Sequence, residues 1–239
     1  IARRRDELGA LYGECAACHA KAYAMLKAAG AVKTGWQAAL VTPEERASAL
    51  MRAEGIAARE FGKRRRERGQ LTRRFLSANS CFGPVSFPET AGALCEHFFV
   101  FDDRLLLGSL ALQKLADCAL EAGHDVLLCP DPLTPELPEA VLIPSLSLGY
   151  ISSNSQLAQI DGARRVRFDS LVDAERFRAL KPELRQSEKL VAELTGSAMA
   201  ALAKSKETHD LIEEIYNPHV DFDGVYALAR KHIADLGIG

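Results

Sequence analysis

The chain has 239 residues, enough for a substantial hydrophobic core and for one or two domains. Its composition of 48% hydrophobic and 26% charged residues, with 17 Gly, 10 Pro and 6 Cys, excludes collagen-like, disordered and disulfide-dense proteins. No apolar run approaches the roughly 18 residues that cross a bilayer, so we expect no membrane-spanning segment. Since the chain begins at Ile1 with neither an initiator Met nor a signal-like segment, we expect further residues upstream.

The net charge of −2 conceals an asymmetry between two parts of the chain. Residues 1–74 carry 16 basic and 8 acidic side chains, whereas residues 75–239 carry 14 and 24. Much of the basic excess lies at 63–68, with Arg73 and Arg74 following. Such a block can bind nucleic acid through counterion release, but no aromatic residues interleave it. We therefore favour a solvated linker over residues 63–70, with nucleic-acid contact as an alternative.

Apolar residues recur at steps of three and four along the first segment, which predicts an amphipathic helix over residues 3–31. The stripe consists of Leu8, Leu11, Cys15, Cys18, Ala22, Met25 and Ala29. Cys15, Cys18 and His19 also match C-x-x-C-H, the attachment signature of c-type haem. Haem attachment and a metal or redox site stay open as alternatives. Because both cysteines lie on the stripe, helix packing is the favoured interpretation.

Gly30 and Gly35 predict a break after this helix, followed by a short helix over 36–40. Thr42 then predicts a helix start, since Thr is a good N-cap, Pro43 suits the first turn, and Glu44 and Glu45 favour the helix dipole. The pattern ends at 61–62, a Phe-Gly pair. Residues 1–62 are therefore predicted to be helical.

Short apolar runs bounded by turn residues follow the basic segment and predict strands. They lie at 73–78, 97–102, 125–129, 140–143, 146–151 and 166–168. Helical patterns at 88–96 and 107–122 lie between them, and Gly123 suits the end of the second. Alternating strands and helices predict an α/β fold with a mostly parallel sheet flanked by helices. From Asp173 onward the chain is again predicted helical, with breaks at Pro182 and Pro218.

An internal repeat relates the two helical segments. Residues 23–26 match 199–202 at an offset of 176, and after one deletion Leu50 matches Val225 at an offset of 175. At that offset residues 61–62 match 236–237. We interpret residues 1–62 as the tail of a first repeat and residues 71–239 as a complete second repeat.

The second repeat carries an ordered set of segments: 74–85, 98–126 (FFVFDDRLLLGSLALQKLADCALEAGHDV), 140–150 (AVLIPSLSLGY) and 208–233. Together they resemble an uncharacterised bacterial family of tandem P-loop ATPases, across essentially the whole chain. The resemblance implies a P-loop NTPase-like fold, two modules each followed by helices, and Mg-ATP as a ligand of the parent protein. It also implies an ATP-binding, nucleotide-binding protein of the bacterial cytoplasm, and six cysteines in apolar company agree with a reducing compartment.

A working P-loop has the pattern G-x-x-x-x-G-K-[ST], in which backbone N–H groups and a Lys hold phosphates. The candidate nucleotide-binding residues in the matching loop are Asp102, Asp103, Arg104, Gly108 and Ser109. Asp102 and Leu107 replace the glycines, Gly108 replaces the Lys, and only Ser109 fits. Two carboxylates would repel a triphosphate. Ser145 and residues 152–154 stand where the family has acidic residues.

We therefore expect a degenerate module, a catalytically inactive pseudoenzyme without a cofactor of its own. It would act as a structural or regulatory partner of an active P-loop module, in cis as an N-terminal half or in trans. The alternatives are an ATPase or nucleotide-kinase-like protein that binds nucleotide by a non-standard loop, and a nucleic-acid-contacting protein. Ser77, Ser80 and Cys81 are further pocket candidates, although we favour a turn role for them.

Histidines and aspartates near the end of the chain are weaker metal candidates. They are His209, Asp210, His219, Asp221 and Asp223. Their positions in predicted helix ends and caps favour structural roles, so no metal site is assigned to them.

Overall fold

The structure is a computed structural model that describes residues 4–62 and 67–237, with residues 36–38 described by their backbone alone. Residues 63–66 of the predicted basic linker lie outside the described part. The described residues form six α-helices and eight strands. In chain order these are α1 (Arg5–Ala39), α2 (Pro43–Glu60), β1 (Leu71–Arg73), β2 (Ser77–Ser80), β3 (Gly83–Ser86), α3 (Pro88–Leu94), β4 (His97–Phe101), α4 (Leu107–Ala122), β5 (Val126–Pro130), β6 (Pro138–Ile143), β7 (Leu148–Ser152), β8 (Arg164–Val166), α5 (Ala174–Tyr216) and α6 (Phe222–Asp235).

Six of these strands form one sheet in the order β1-β5-β6-β7-β4-β8. β6 is antiparallel to both of its neighbours, and the other pairings are parallel, so five strands run in one direction. β2 and β3 form a separate antiparallel hairpin. The predicted α/β class with a mostly parallel sheet flanked by helices is confirmed.

The sheet is covered on both faces because its strands alternate side chains between two apolar cores. Leu148 and Tyr150 of β7 belong to the larger core, which α2 and α4 cover. Ile151 points into the smaller core with Ala91 of α3 and Cys95. The main core therefore includes α2, an element of the N-terminal helical segment.

Two predicted helix boundaries are confirmed. The Thr42 hydroxyl accepts the Glu45 N–H at 3.2 Å and the Glu45 carboxylate accepts the Thr42 N–H at 2.8 Å, which is a complete capping box. Gly123 ends α4 in the left-handed region, with φ of 88°, as a helix-terminating glycine does.

The predicted break at Gly30 and Gly35 and the separate helix over 36–40 are wrong. α1 runs without interruption to Ala39. Gly30 instead permits a close approach between α1 and a loop, since a Cβ there would lie 2.5 Å from the Leu133 carbonyl oxygen. Glycine at this position serves packing, and the helix tolerates it at a cost of about 1 kcal/mol.

Two further predictions are corrected by the structure. Pro182 does not end a helix, because α5 continues through it while Leu184, one half-turn later, is buried in the main core. Residues 73–78 do not form one strand: the sheet strand ends at Arg73, and the chain then turns so that Ser77 begins the hairpin. The break at Pro218 is confirmed, since it lies in a short 3-10 turn between α5 and α6.

The long helices α1 and α5 pack against each other as an antiparallel pair. Leu8 lies with Ile212 and Ile215 at one end, and Ala22 lies with Ala198 further along. The predicted apolar stripe of α1 is therefore confirmed as the face that meets α5. None of the helices in the described ranges is both long and apolar enough to cross a membrane.

The pairing of α1 with α5 predicts a position-specific effect of side-chain size. Ala22 is fully buried against α5, whereas Ala24 is exposed. Ala22→Leu should lower the free energy of unfolding by about 1–3 kcal/mol, because it forces extra volume into a close-packed contact. Urea denaturation measures this, with Ala24→Leu as the matched control. Equal stability of the two variants would contradict the packing described.

Candidate functional site

The carboxyl ends of five strands lie at one edge of the sheet, where open α/β sheets bind ligands. Acidic residues directly follow three of these strands or their short extensions: Asp103 after β4, Asp131 after β5 and Asp169 after β8. Glu139 lies at the same edge, in the second position of the reversed strand β6. Of these four residues, only Asp103 is a candidate from the sequence. Each of the four lies just after an apolar run or at the start of one, and this position could have marked the other three as candidates as well.

Asp103 lies inside the loop between β4 and α4 and is fully buried. Its Oδ1 accepts the backbone N–H of Ser109 at 2.8 Å. Its Oδ2 accepts the hydroxyl of Ser152 at 2.7 Å and the hydroxyl of Ser109 in a short hydrogen bond. The carboxylate therefore ties the first turn of α4 to the end of β7. This is the position at which a helix N-terminus would otherwise receive an external anion.

The backbone of the same residue is held from the β7 side. The Asp103 N–H donates to the Ser153 hydroxyl at 3.0 Å, and the Asn154 side-chain amide donates to the Asp103 carbonyl at 2.6 Å. Residues 152–154, which the resemblance placed at acidic positions of the family, thus bind the loop itself. Leu106 completes the turn in the left-handed region, with φ of 60°, a strained conformation for leucine.

Burial raises the pKa of the Asp103 carboxyl to about 6, while the hydrogen bonds from Ser109 and Ser152 act in the opposite direction. Asp169 lies nearby, and burial together with the negative charges of Asp102 and Asp103 raises its pKa to about 6 as well. The loop thus sits among acidic groups in a poorly solvated environment.

Gly108 has a packing role at the start of α4. A Cβ at this position would lie 2.9 Å from the Asp102 carbonyl oxygen and 2.9 Å from Asp103 Oδ1. The absence of a side chain lets the helix N-terminus approach the carboxylate. Gly108, which the resemblance places at the lysine position of a P-loop, is therefore part of the geometry that holds Asp103.

The two remaining candidates, Asp102 and Arg104, point elsewhere. Asp102 lies beside Arg165 of β8, with 3.6 Å between the nearest charged atoms. Arg104 forms a two-pronged ion pair with Glu188 of α5, at 2.9 Å from Nε to Oε1 and 3.1 Å from Nη2 to Oε2. The structure brings Asp103, Gly108 and Ser109 together and does not bring Asp102 or Arg104 into that group.

A second buried polar group lies further along the same edge. Asp131 accepts the N–H groups of Leu133 at 2.9 Å and Thr134 at 3.0 Å, and pairs with the buried ammonium of Lys33, which α1 inserts there. Lys33 was not a candidate from sequence, because the predicted helix ended at residue 31. In the continuous α1 it lies four residues after Ala29, on the same side as the apolar stripe.

Glu139 organises the neighbouring serines. Its carboxylate accepts the Ser77 hydroxyl at 2.7 and 2.8 Å and the Ser155 hydroxyl at 2.8 Å. Burial raises the pKa of the Glu139 carboxyl despite these bonds. Ser77, one of the three further pocket candidates, is thus placed at the carboxyl edge, whereas Ser80 and Cys81 lie in a cleft between the hairpin, α1 and α5.

A cleft of about 550 Å³ lies beside the loop, between α1, α4 and the segment after β5. Its lining is mainly apolar, with Leu105, Leu106, Leu107 and Leu110 from the loop and helix, and Lys27 at the α1 side. The buried hydroxyl of Thr134, which also lines it, has no hydrogen-bond partner. The side of the cleft that the loop and the start of α4 form is therefore made mainly of leucine side chains.

Ser145 does not belong to this edge. Because β6 runs in the reverse direction, Ser145 follows its far end and contacts His124 Nδ1 at 2.9 Å. His124 Nε2 lies 3.0 Å from the Phe61 carbonyl oxygen, so this pair holds the end of α2 against the opposite edge of the sheet. Ser145, which the resemblance places at an acidic position of the family, therefore lies at the edge of the sheet opposite to Asp103.

The C-x-x-C-H segment lies within α1. Cys15 and Cys18 are partly buried on the α5 side, and the Cys15 sulfur is 3.0 Å from the Ser205 hydroxyl oxygen. His19 is exposed and stacks on Tyr23 at a ring-centroid distance of 6.0 Å. The favoured interpretation, cysteines on a helix-packing face, is confirmed.

The distal metal candidates separate into two roles. His209 and Asp210 form an exposed group with Glu213 on α5, and Asp210 is paired with Lys206 at 2.6 Å. Asp221 caps α6 by accepting the Gly224 N–H at 3.0 Å, which confirms the predicted capping context.

Comparison of the chain with protein-family models, curated proteins and solved structures gives no match.

The burial of Asp103 predicts a specific pH dependence. Its folded-state pKa of about 6 lies above the value near 4 of an unfolded carboxyl, so its contribution to stability is fully present below pH 4 and is lost as the pH rises through 6. At roughly 1.4 kcal/mol per pKa unit, the loss is on the order of 3 kcal/mol.

Asp103→Asn removes this titration, so its free energy of unfolding should fall less between pH 4 and pH 7 than that of the unmodified chain. Urea unfolding at several pH values measures the difference. Asp161→Asn, at an exposed carboxylate, is the matched control and should keep the original slope. Parallel profiles for Asp103→Asn and the unmodified chain would contradict the assignment.

Proposed function

We propose that residues 71–237 form a P-loop-like module whose phosphate site is closed, and that the chain serves as a structural or regulatory partner of a second, active P-loop module. That module would lie in the same polypeptide or on another subunit. The observation that carries the proposal is the Asp103 carboxylate, which accepts the Ser109 N–H and two hydroxyl groups at the start of α4. The resemblance to tandem P-loop ATPases supplies the kind of partner.

Charge and hydrogen bonding both oppose a phosphate at this loop. A phosphate oxygen within about 4 Å of the Asp103 carboxylate would be repelled by roughly 4 kcal/mol at an effective dielectric constant of 20. It would also find the Ser109 N–H already engaged. Each charged hydrogen bond is worth about 1.5–3 kcal/mol, so the lost donors represent most of the roughly −8 kcal/mol of a micromolar site.

The alternative of nucleotide binding by a non-standard loop would need a cation to replace the P-loop lysine. Arg104 is the nearest candidate in the sequence, but it is engaged by Glu188. A lysine in place of Gly108 would meet the Asp102 carbonyl oxygen. These contacts favour the closed-site proposal over the alternative.

Titration calorimetry of Mg·ATP against the intact chain tests the proposal. We expect no binding tighter than millimolar, because the loop already holds an anion. Asp103→Gly should bind inorganic pyrophosphate at least tenfold more tightly than the unmodified chain, since it frees the Ser109 donors. Asp102→Asn, which removes the same charge beside Arg165, is the matched control and should stay near the unmodified value. Micromolar Mg·ATP binding or ATP hydrolysis by the unmodified chain would refute the closed site.

A further inference from the structure

The pairing of α1 with α5 reflects the internal repeat. Ala22 and Ala198 are 176 residues apart, the offset of the repeat, and they lie in the same small core. The other members of this core are also equivalent at that offset: Met25 with Ala201, and Leu26 with Leu202. When equivalent residues of two antiparallel helices face each other, a local twofold axis passes between them.

The ends of the helix pair follow the same symmetry. Leu8 packs with Tyr216 at one end of the pair. Their equivalents at an offset of 176, Leu184 and Leu40, belong together to the main core at the other end. The twofold relation therefore extends over the length of the pair, although only one end carries an α/β module among the described residues.

The helices that follow, α2 and α6, end in the same way. α2 ends at Glu60 and α6 at Asp235, and each is followed by a left-handed glycine, Gly62 with φ of 68° and Gly237 with φ of 66°. These ends match at an offset of 175, as the sequence predicts. The two helices thus occupy equivalent places in the two repeats.

Their surroundings differ completely. α2 buries one face against α4, through Ala49, Ala53, Ile56 and Ala57. The same spacing recurs in α6 as Val225, Ala229, His232 and Ile233, at an offset of 176. This offset corrects the match of Leu50 with Val225 at 175, because it is the offset at which the buried face of α2 corresponds to an apolar face of α6. The single deletion then falls near the end of α6, after this face.

No residue of α6 is buried. Val225 is 54% exposed, Ile233 51% and Tyr226 57%. Phe222 and Leu236 extend the same apolar face, which carries no charged residue. Lys231 lies on the opposite side of the helix, and Asp223 and Arg230 flank the face. An isolated amphipathic helix of 14 residues is marginal in water, so this face needs a partner.

We infer that the apolar face of α6, together with the first turns of α1 and the last turns of α5, is the docking surface for a second α/β module of the same kind as residues 71–173. In that complex α6 would cover the helix that corresponds to α4, as α2 covers α4 here. The inference rests on the proposed function, which supplies the second module, and adds where and how that module binds.

A second copy of this chain does not fit the surface. In every copy α4 is already covered by its own α2, so a free α6 finds no equivalent face to occupy. The partner must therefore present an α4-like helix that lacks a covering α2. The single chain is expected to be monomeric.

A tandem fusion tests the inference directly. Phe177 lies opposite Ile1 at an offset of 176, so residues 67–176 can be joined to Ile1 in register, with the whole chain kept intact. Hydrogen exchange is then measured by mass spectrometry at residues 222–235, a segment that occurs once in the fusion. We expect α6 amides to exchange at least tenfold more slowly in the fusion than in the single chain.

Two double variants identify the face. Val225→Asp with Ile233→Asp should restore fast exchange in the fusion, because it places charges on the apolar face. Ala227→Asp with Lys231→Asp, at exposed positions on the opposite side of the helix, is the matched control and should keep α6 protected. In the single chain, the first pair should leave the melting temperature unchanged to within about 1 °C, since exposed sites contribute little.

Several results would overturn the inference. One is a concentration-dependent dimer of the single chain. Another is a large decrease in the melting temperature of the single chain when Val225 and Ile233 are substituted. A third is a rate of hydrogen exchange in α6 that is the same in the fusion as in the single chain. A fusion whose added module does not fold counts against it as well, because the surface described is meant to complete that module. Micromolar Mg·ATP binding would refute the closed site and leave α6 exchange unaffected, so the two failures are distinguishable.

Discussion

The carboxylate of Asp103 joins the loop after β4 to the first turn of α4 and to the end of β7. It accepts the N–H of Ser109, the third residue of α4, and the hydroxyl of Ser152 from β7. Burying an ionisable group costs free energy, and hydrogen bonds to both oxygens of this carboxylate offset part of that cost. The loop therefore stays closed only while the start of α4 and the end of β7 keep their relative positions. Gly108 leaves room for the carboxylate, and Leu106 adopts a left-handed conformation.

The other buried acidic groups at the carboxyl edge of the sheet are also paired with side chains of the chain itself. Asp131 is neutralised by Lys33, which comes from α1 and so links the N-terminal helices to the sheet. Glu139 is surrounded by serine hydroxyls. An edge at which open α/β sheets usually bind ligands is thus largely occupied by the chain's own side chains, and the cleft beside the loop is mainly apolar. These contacts are the basis of the proposal that the chain acts as a structural or regulatory partner.

Local signals predicted much of this fold. The runs at 97–102 and 107–122 gave β4 and α4 because apolar spacing and the glycine after α4 are both local features. Positions that depend on tertiary contacts could not be predicted from local patterns. Gly30 suggests a helix break in the sequence, but in the structure it allows a loop to pack closely against α1. Pro182 suggests a helix end, but α5 continues through it and Leu184 packs in the main core. Helix continuity in both cases is decided by distant partners.

The candidate site shows the same division. Asp102 and Asp103 both lie in the loop that the sequence predicts to be a degenerate phosphate loop. The structure shows that Asp102 faces Arg165 of β8, whereas Asp103 faces Ser152 of β7. The ion pair of Lys33 with Asp131 could not be predicted from local patterns, because the two residues are 98 positions apart in the sequence. The repeat was detectable from the sequence, whereas the twofold contact of Ala22 with Ala198 required the fold.

The central claim is that the start of α4 already holds an anion, the Asp103 carboxylate. A crystal structure of the intact chain grown with millimolar Mg·ATP tests it most directly, because it locates any phosphate relative to that carboxylate. The account predicts Asp103 within hydrogen-bond distance of the Ser109 N–H and no phosphate density at the loop between β4 and α4. Phosphate density on the Ser109 N–H, with the Asp103 side chain displaced, would contradict it.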